Sequence, residues 1–239
     1  MEGDSMAQIE TAKTGSAVIV NDFIRSVYNW MAVGLALTGF VAFYVSTNET
    51  MRNLIFGNPI TLIVLIVAEL ALVFIISGMV QRMSAGTATF LFVLYSALNG
   101  ATISFIFLVY TQASIVSTFF ICAGTFVGCS IYGWTTKRDL TSWGGFLMMG
   151  LIGIIIASLV NLFIHSSAMS LIISYIGVFV FVGLTAYDTQ KLKNMAMTQP
   201  AGLDGGVIRK GAILGALSLY LDFINLFLLL LRIFGQTRD

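Results

Sequence analysis

Charge is what this sequence has least of. Only 10% of its 239 residues are Asp, Glu, Lys or Arg, where soluble domains carry about 25%. So few charges cannot clothe a soluble globule of this size. There are only two prolines, which excludes a proline-rich linker, and the 23 glycines follow no collagen period. The formal net charge of +1 leaves no basic surface for nucleic acid. These shortages exclude a soluble enzyme, a nucleic-acid binder and a disordered chain. What the chain has is apolar bulk: 58% of residues are hydrophobic and the mean hydropathy is +0.94. The reading that remains is a polytopic membrane protein.

A bilayer-spanning helix needs about 20 mostly apolar residues. Seven stretches meet that length, at roughly 27–46, 59–80, 88–110, 115–134, 143–164, 168–188 and 212–234. Polar or charged clusters such as Ser46-Thr47-Asn48-Glu49 and Thr135-Thr136-Lys137-Arg138-Asp139 separate them. Pro59 sits at the first turn of the second stretch, where its missing N–H costs nothing. None of the runs alternates like a barrel strand. The expected fold class is therefore an all-α membrane protein, a seven-helix bundle whose backbone satisfies its own hydrogen bonds. Residues 1–26 read as a polar, mobile cytoplasmic tail without a cleavable signal, and 27–239 as a single transmembrane domain.

Lys and Arg set the expected orientation. Lys13, Arg25, Arg82, Lys137, Arg138, Lys191, Lys193, Arg209 and Lys210 fall on one side, and Arg52, Arg232 and Arg238 on the other. Nine against three predicts a cytoplasmic N-terminus and, with seven spans, a C-terminus outside. A six-span form with one re-entrant segment would instead return the C-terminus inside. Cys122 and Cys129 are seven residues apart on one span, about 10 Å along a helix, too far for a mutual disulfide. They read as small apolar residues. The pairs Gly124/Gly128 and Gly211/Gly215 permit close helix approach and read as packing.

Charged residues inside spans are costly, so each is a functional candidate. Three acids qualify: Glu69 in span two, Asp188 near the cytoplasmic end of span six and Asp222 in span seven. If span seven starts near Ala212, Asp222 lies about 15 Å from its edge. A tilt or an earlier start would bring it to Asp188. Gly211, Gly215, Ser218, Asp222, Asn225 and Arg232 recur at helical spacing and form one stripe on span seven. The stripe reads as an interior-facing line of polar groups, with Arg232 reaching the outer interface. Tyr95, Asn99 and Thr102 on span three are spaced to line the same interior. No spacing assigns Glu69 a partner. His165 lies in an outer loop and reads as a surface residue.

Two carboxyls at close range in low dielectric do not both ionise easily and titrate as a pair. A conformational change that joins or separates them therefore moves a proton. Carboxylate oxygens also suit Ca²⁺, which takes 6–8 oxygen ligands. Asp188 and Asp222 with neighbouring Asn, Ser and backbone oxygens would make a transient site rather than a tight cage. Chemistry alone thus points to a proton-sensitive cation pathway, with no resident cofactor.

The segment Thr185-Ala186-Tyr187-Asp188-Thr189-Gln190 and the run Leu217-Ser218-Leu219-Tyr220-Leu221-Asp222-Phe223-Ile224-Asn225-Leu226-Phe227 closely resemble signatures of the Bax-inhibitor (transmembrane Bax inhibitor motif) family. The resemblance extends over nearly the whole chain, including the Thr-Lys-Arg-Asp-Leu loop at 136–140, and is strongest to the bacterial branch. It implies seven helices with the last one central. It also implies a pH-sensitive calcium leak in the bacterial inner membrane, regulated by paired aspartates that match Asp188 and Asp222. Glu69 matches an acid in span two of relatives. Arg82 is the nearest candidate for a basic latch on one aspartate, although its surroundings depart from the family's pattern.

The leading expectation is thus a non-enzymatic cation leak channel or exchanger. Its expected partners are the lipid bilayer, calcium ions and protons, with other membrane proteins as further candidates. A second reading is a regulatory protein acting on membrane proteases or a stress response through loop 189–211 or the N-terminal tail. A third is an intramembrane aspartyl protease, since Asp188 and Asp222 lie on consecutive spans. Against it, Leu219-Tyr220-Leu221-Asp222 replaces the Gly-x-Gly-Asp such enzymes carry, and no Pro-Ala-Leu follows. A retinal pump lacks its lysine in 212–234, and a serine rhomboid lacks a histidine in any span.

Overall fold

The computed structural model describes the backbone of residues 2–198, 200 and 203–238, and the side chains of these from residue 20 onward. The helices are α1 (Glu2–Thr47), α2 (Glu49–Phe56), α3 (Pro59–Met79), α4 (Ala85–Ile103), α5 (Ile106–Val109), α6 (Gln112–Thr135), α7 (Thr141–Ile164), α8 (Ser167–Thr198) and α9 (Gly205–Phe234). A 3₁₀ turn, Val80–Arg82, extends α3. Seven segments are long and apolar enough to cross a membrane: Val20–Thr47, Pro59–Arg82, Ala85–Val109, Gln112–Thr135, Thr141–Ile164, Ser167–Thr198 and Gly205–Phe234. The protein is an all-α, seven-span membrane protein.

Local chemistry sets where these helices begin. Asn58 Oδ1 accepts from the Ile60 amide at 2.9 Å, with Pro59 in the first turn of α3. Ser84 Oγ accepts from Thr87 N at 3.1 Å, Thr111 Oγ1 from Ser114 N at 3.3 Å, and Asp204 Oδ1 from Gly206 N at 2.6 Å. At the end of α7, His165 takes up a left-handed φ of 55° and its amide reaches Asn161 O at 2.8 Å. It is exposed, as the sequence suggests.

Two helix ends differ from expectation, and both matter. α8 continues to Thr198, ten residues beyond Asp188, and α9 begins at Gly205. Of the supposed loop 189–211, residues 189–198 and 205–211 are helical. Leu192 and Ala196 are buried while Lys191 and Asn194 face outward, so the helix keeps an apolar face after the hydrophobic run ends. The second functional reading thereby loses most of its docking loop. The longer α9 also takes in Lys210, whose ammonium donates to Gln81 O at 3.1 Å. At the other terminus, the boundary expected at residue 26 falls within a continuous helix, because Phe23 is buried. The side chains of residues 1–19 of the expected tail, Lys13 among them, lie outside those described.

α9 is the most buried span: 67% of its most apolar window is inside, against 6% for α7 and 11% for α3. It packs on α8, α1, α6 and α4. Leu217, Leu219, Tyr220, Leu226 and Leu231 are almost solvent-free. A helix apolar on all faces fits such an enclosed position. Small residues allow the close contacts. A Cβ at Gly100 would stand 2.6 Å from Thr38 O, one at Gly215 2.6 Å from Leu192 Cδ2, and one at Gly133 would run into the Ala186 carbonyl. Gly124 and Gly128, read from the sequence as packing residues, instead face outward with nothing within 4 Å. Of the two small-residue pairs, only Gly211/Gly215 works inside the bundle. Both cysteines are free; Cys122 is buried, its Sγ 3.7 Å from Phe223 O.

Each end of the bundle is tied by its own contacts. At one end Lys193 donates to Trp134 O at 2.6 Å, and the Arg209 guanidinium lies 5.4 Å from the Trp30 ring centroid. At the other, the segment after α9 runs antiparallel to residues 109–111. Thr111 N donates to Gln236 O and Arg238 N to Val109 O, both at 2.9 Å. Arg238 Nη1 also donates to Phe107 O at 3.0 Å.

Candidate functional site: two aspartates on consecutive spans and a second polar cluster

Asp188 sits about two-thirds of the way along α8, in a segment whose neighbouring side chains each have a structural task. Ala186 lies against Gly133 of α6, and the Tyr187 ring rests on Gly144 of α7. Thr189 Oγ1 donates to Ser130 Oγ at 3.4 Å. Gln190 Oε1 accepts from Leu140 N and its Nε2 donates to Arg138 O, both at 2.8 Å. These contacts lock α8 to α6, α7 and the connecting turn, which fixes where the Asp188 carboxyl can point.

Asp222 is 5% exposed, on the most buried span. Both helices run longer than their hydrophobic stretches, and Asp188 lies within electrostatic reach of Asp222. Among the described residues the buried Asp222 Oδ2 atom has no hydrogen-bond partner. Buried polar atoms are normally paired, and an orphan is costly. Among the described residues no group of three or more His, Cys, Asp or Glu side chains could hold a metal ion.

The third acid belongs to a separate cluster. Glu69 of α3 accepts from Asn99 Nδ2 at 3.2 Å and from Thr102 Oγ1, both on α4. Asn99 Oδ1 accepts from Tyr220 OH at 3.0 Å, and Tyr220 OH lies 2.6 Å from Thr38 Oγ1 of α1. Thr38 Oγ1 also donates to Ser96 O at 2.8 Å. Four spans therefore meet in one polar cluster, in which hydrogen bonds run from Glu69 through Asn99 to Tyr220 and the Tyr220 oxygen lies against Thr38. Asn99 and Thr102, named from their spacing, do line an interior, and they supply the partners of Glu69 that spacing within span two could not specify.

The stripe expected on α9 is only partly realised. Asp222 and Gly215 are enclosed, but Ser218 and Asn225 are half-buried, and Asn225 Nδ2 donates at 2.8 Å to Leu221 O of its own helix. Arg232 is exposed at its end. Arg82 is exposed in the 3₁₀ turn. Tyr220, which lies off the stripe, makes the most cross-helix contacts. The usable signal was its hydroxyl: a tyrosine in a span otherwise built of Leu, Ile and Phe must find a partner for its O–H when buried.

Comparison with known proteins accords with this architecture. A family model described as "Inhibitor of apoptosis-promoting Bax1" matches residues 20–239. The inner membrane protein YbhL of Escherichia coli K12 is 58% identical over 216 residues, covering 90% of this chain and 92% of YbhL. An uncharacterized protein of Borreliella burgdorferi is 48% identical over 230 residues, covering 96% of this chain and 98% of its own length. Another from Deinococcus radiodurans is 45% identical over 235 residues, with 98% and 99% covered. The similarity thus takes in all seven spans, both acid-bearing segments of α8 and α9 included, and the chain belongs to the Bax inhibitor family, on its bacterial branch.

Proposed function

We propose that this protein is a pH-sensitive leak channel or exchanger for calcium, or a related cation, in a bacterial inner membrane. Asp188 and Asp222 are its sensor. The observation that carries the reading is the pair itself: two acids on consecutive spans, within electrostatic reach, one with an unpartnered buried oxygen. Nothing in the packing of an apolar bundle calls for such a pair, and ionisable groups are kept within membranes chiefly where they function. A change of helix packing that separates or joins the acids alters how many protons they hold, and protonation in turn biases the packing.

In this reading the last helix is the central element around which the others rearrange. Glu69 marks a second station on the cation path, and Ser218 and Asn225 offer neutral oxygens beside it. Arg82 could serve as a latch only by swinging inward from its exposed turn. Calcium is cargo, meeting two carboxyls and neutral oxygens in a transient shell. The N-terminus lies in the cytoplasm and the C-terminus outside, following the distribution of Lys and Arg. YbhL is named as an inner membrane protein, which supports that location here.

The test is calcium flux into proteoliposomes at several pH values. The double variant Asp188→Asn, Asp222→Asn is expected to remain helical by circular dichroism and to lose the pH dependence of flux. A folded double variant with the parent's pH profile would overturn the sensor role.

A further inference from the structure

Beside the acid-bearing segment of α8, an apolar groove of about 370 Å³ opens between α6, α7 and α8. Tyr132, Trp143, Phe146, Phe179 and Tyr187 form its walls, with Leu140 at one end. Two glycines shape it. A Cβ at Gly144 would stand 2.7 Å from the Tyr187 ring, and one at Gly183 2.6 Å from Leu147, so the helices close tightly behind the groove and leave its front open. Phe146 is 64% and Phe179 77% exposed. On a spanning bundle such faces meet the bilayer, so the natural filling is hydrocarbon.

Cations gather at the Leu140 end. Lys137 and Arg138 are exposed in the turn that Gln190 pins through Leu140 N and Arg138 O. The Lys191 ammonium lies 6.0 Å from the centroid of the Tyr187 ring that walls the groove. Elsewhere on this end, Lys193 and Lys210 are spent on backbone carbonyls. The side chains of Lys137, Arg138 and Lys191 donate no hydrogen bond to a described residue. The acid of this turn, Asp139, is exposed, and hydrogen bonds from the Thr141 side chain and then from its amide, at 2.9 Å to Oδ1, hold its carboxyl below the usual range.

We propose that this groove binds one anionic phospholipid, with an acyl chain along Phe146 and Phe179 and the headgroup phosphate among Lys137, Arg138 and Lys191. The complementarity is specific in sign and place. Lys137 and Arg138 stand at the polar end of an apolar slot together with Lys191, which also lies within electrostatic reach of Asp188, and aromatic side chains of the kind that favour the interface flank it. Ala186 and Tyr187, which precede Asp188, form part of the slot, so the bound lipid rests on the helix that carries the acid.

Trp143 supplies a reporter in the groove. In a Trp30→Phe, Trp134→Phe background, its fluorescence is measured in phosphatidylcholine vesicles containing acyl-brominated phosphatidylglycerol or acyl-brominated phosphatidylcholine at equal mole fraction. The expected result is a preference of about fivefold for the anionic quencher, the effect of about one basic residue at an anionic headgroup. It should fall to near parity in Lys137→Gln, Arg138→Gln, Lys191→Gln, whose substitutions are all on exposed side chains. Equal quenching by both lipids in the unsubstituted background would overturn the proposal. So would a preference that survives the triple substitution. A third refuting outcome is the same preference reported by Phe163→Trp, at the far end of α7, in a background lacking Trp143, since that would mark general surface attraction rather than a site.

Discussion

Replacing Tyr220 by phenylalanine isolates the hydroxyl that joins α9 to the Glu69 cluster. The ring is fully buried and its edge-on contacts with Phe92 and Tyr95, at centroid separations of 5.9 and 5.6 Å, would remain. What disappears is the 3.0 Å bond to Asn99 Oδ1 and the 2.6 Å contact with Thr38 Oγ1. Thr38 keeps Ser96 O as a partner, but Asn99 Oδ1 is left buried and unpaired. Such an orphan costs about 1–3 kcal/mol. Hydrogen bonds between membrane helices are worth less, about 0.6 kcal/mol on average and about 1.7 at most. The expected destabilisation is therefore about 1–2 kcal/mol. Reversible unfolding in mixed micelles by added dodecyl sulfate measures it. Combining Tyr220→Phe with Thr38→Val tests the 2.6 Å contact separately, with an expected coupling of about 0.6 kcal/mol or more. If the single change costs nothing and the pair is additive within about 0.3 kcal/mol, the chain of contacts from Glu69 to Thr38 does not hold the helices together.

Two further outcomes follow from contacts at the acid-bearing segment. Gly133→Ala drives a methyl group into the Ala186 carbonyl and should destabilise by about 1–3 kcal/mol or more, whereas Gly124→Ala, in open space on the same helix, should change stability by less than about 0.5 kcal/mol; equal thermal shifts in the two variants would contradict the α6–α8 contact described. Gln190→Leu removes both bonds to the 138–140 turn and should speed amide exchange at Leu140 while costing about 1 kcal/mol; unchanged exchange in a peptide spanning 136–142 would show that the turn is held by something else.

The seven spans were legible because hydropathy runs of twenty residues have few alternative explanations in water or lipid. The ends of α8 and α9 were not. Lys191 and Lys193 interrupt the hydrophobic count, yet a helix persists beyond them as long as residues such as Leu192 and Ala196 have something to pack on. The candidates Asp188, Asp222 and Glu69 stood out because charge is expensive in such surroundings. Their partners did not, because Tyr220 meets residues 182 and 121 positions away, and no periodicity within one helix encodes that. Asn225 shows the converse: placed on the right stripe by its spacing, it spends its amide on its own helix.

The deep enclosure of α9 bears on how the protein is made. Spans emerge from the ribosome in chain order, so α9, which has the largest buried share of the seven, follows the other six. Until it arrives, Thr38 and Asn99 lack the Tyr220 hydroxyl that they meet in the finished protein. The nascent chain therefore passes through a stage in which those groups need water, a neighbouring helix of the insertion machinery or one another. Arrival of α9, rather than insertion of any earlier span, supplies those contacts.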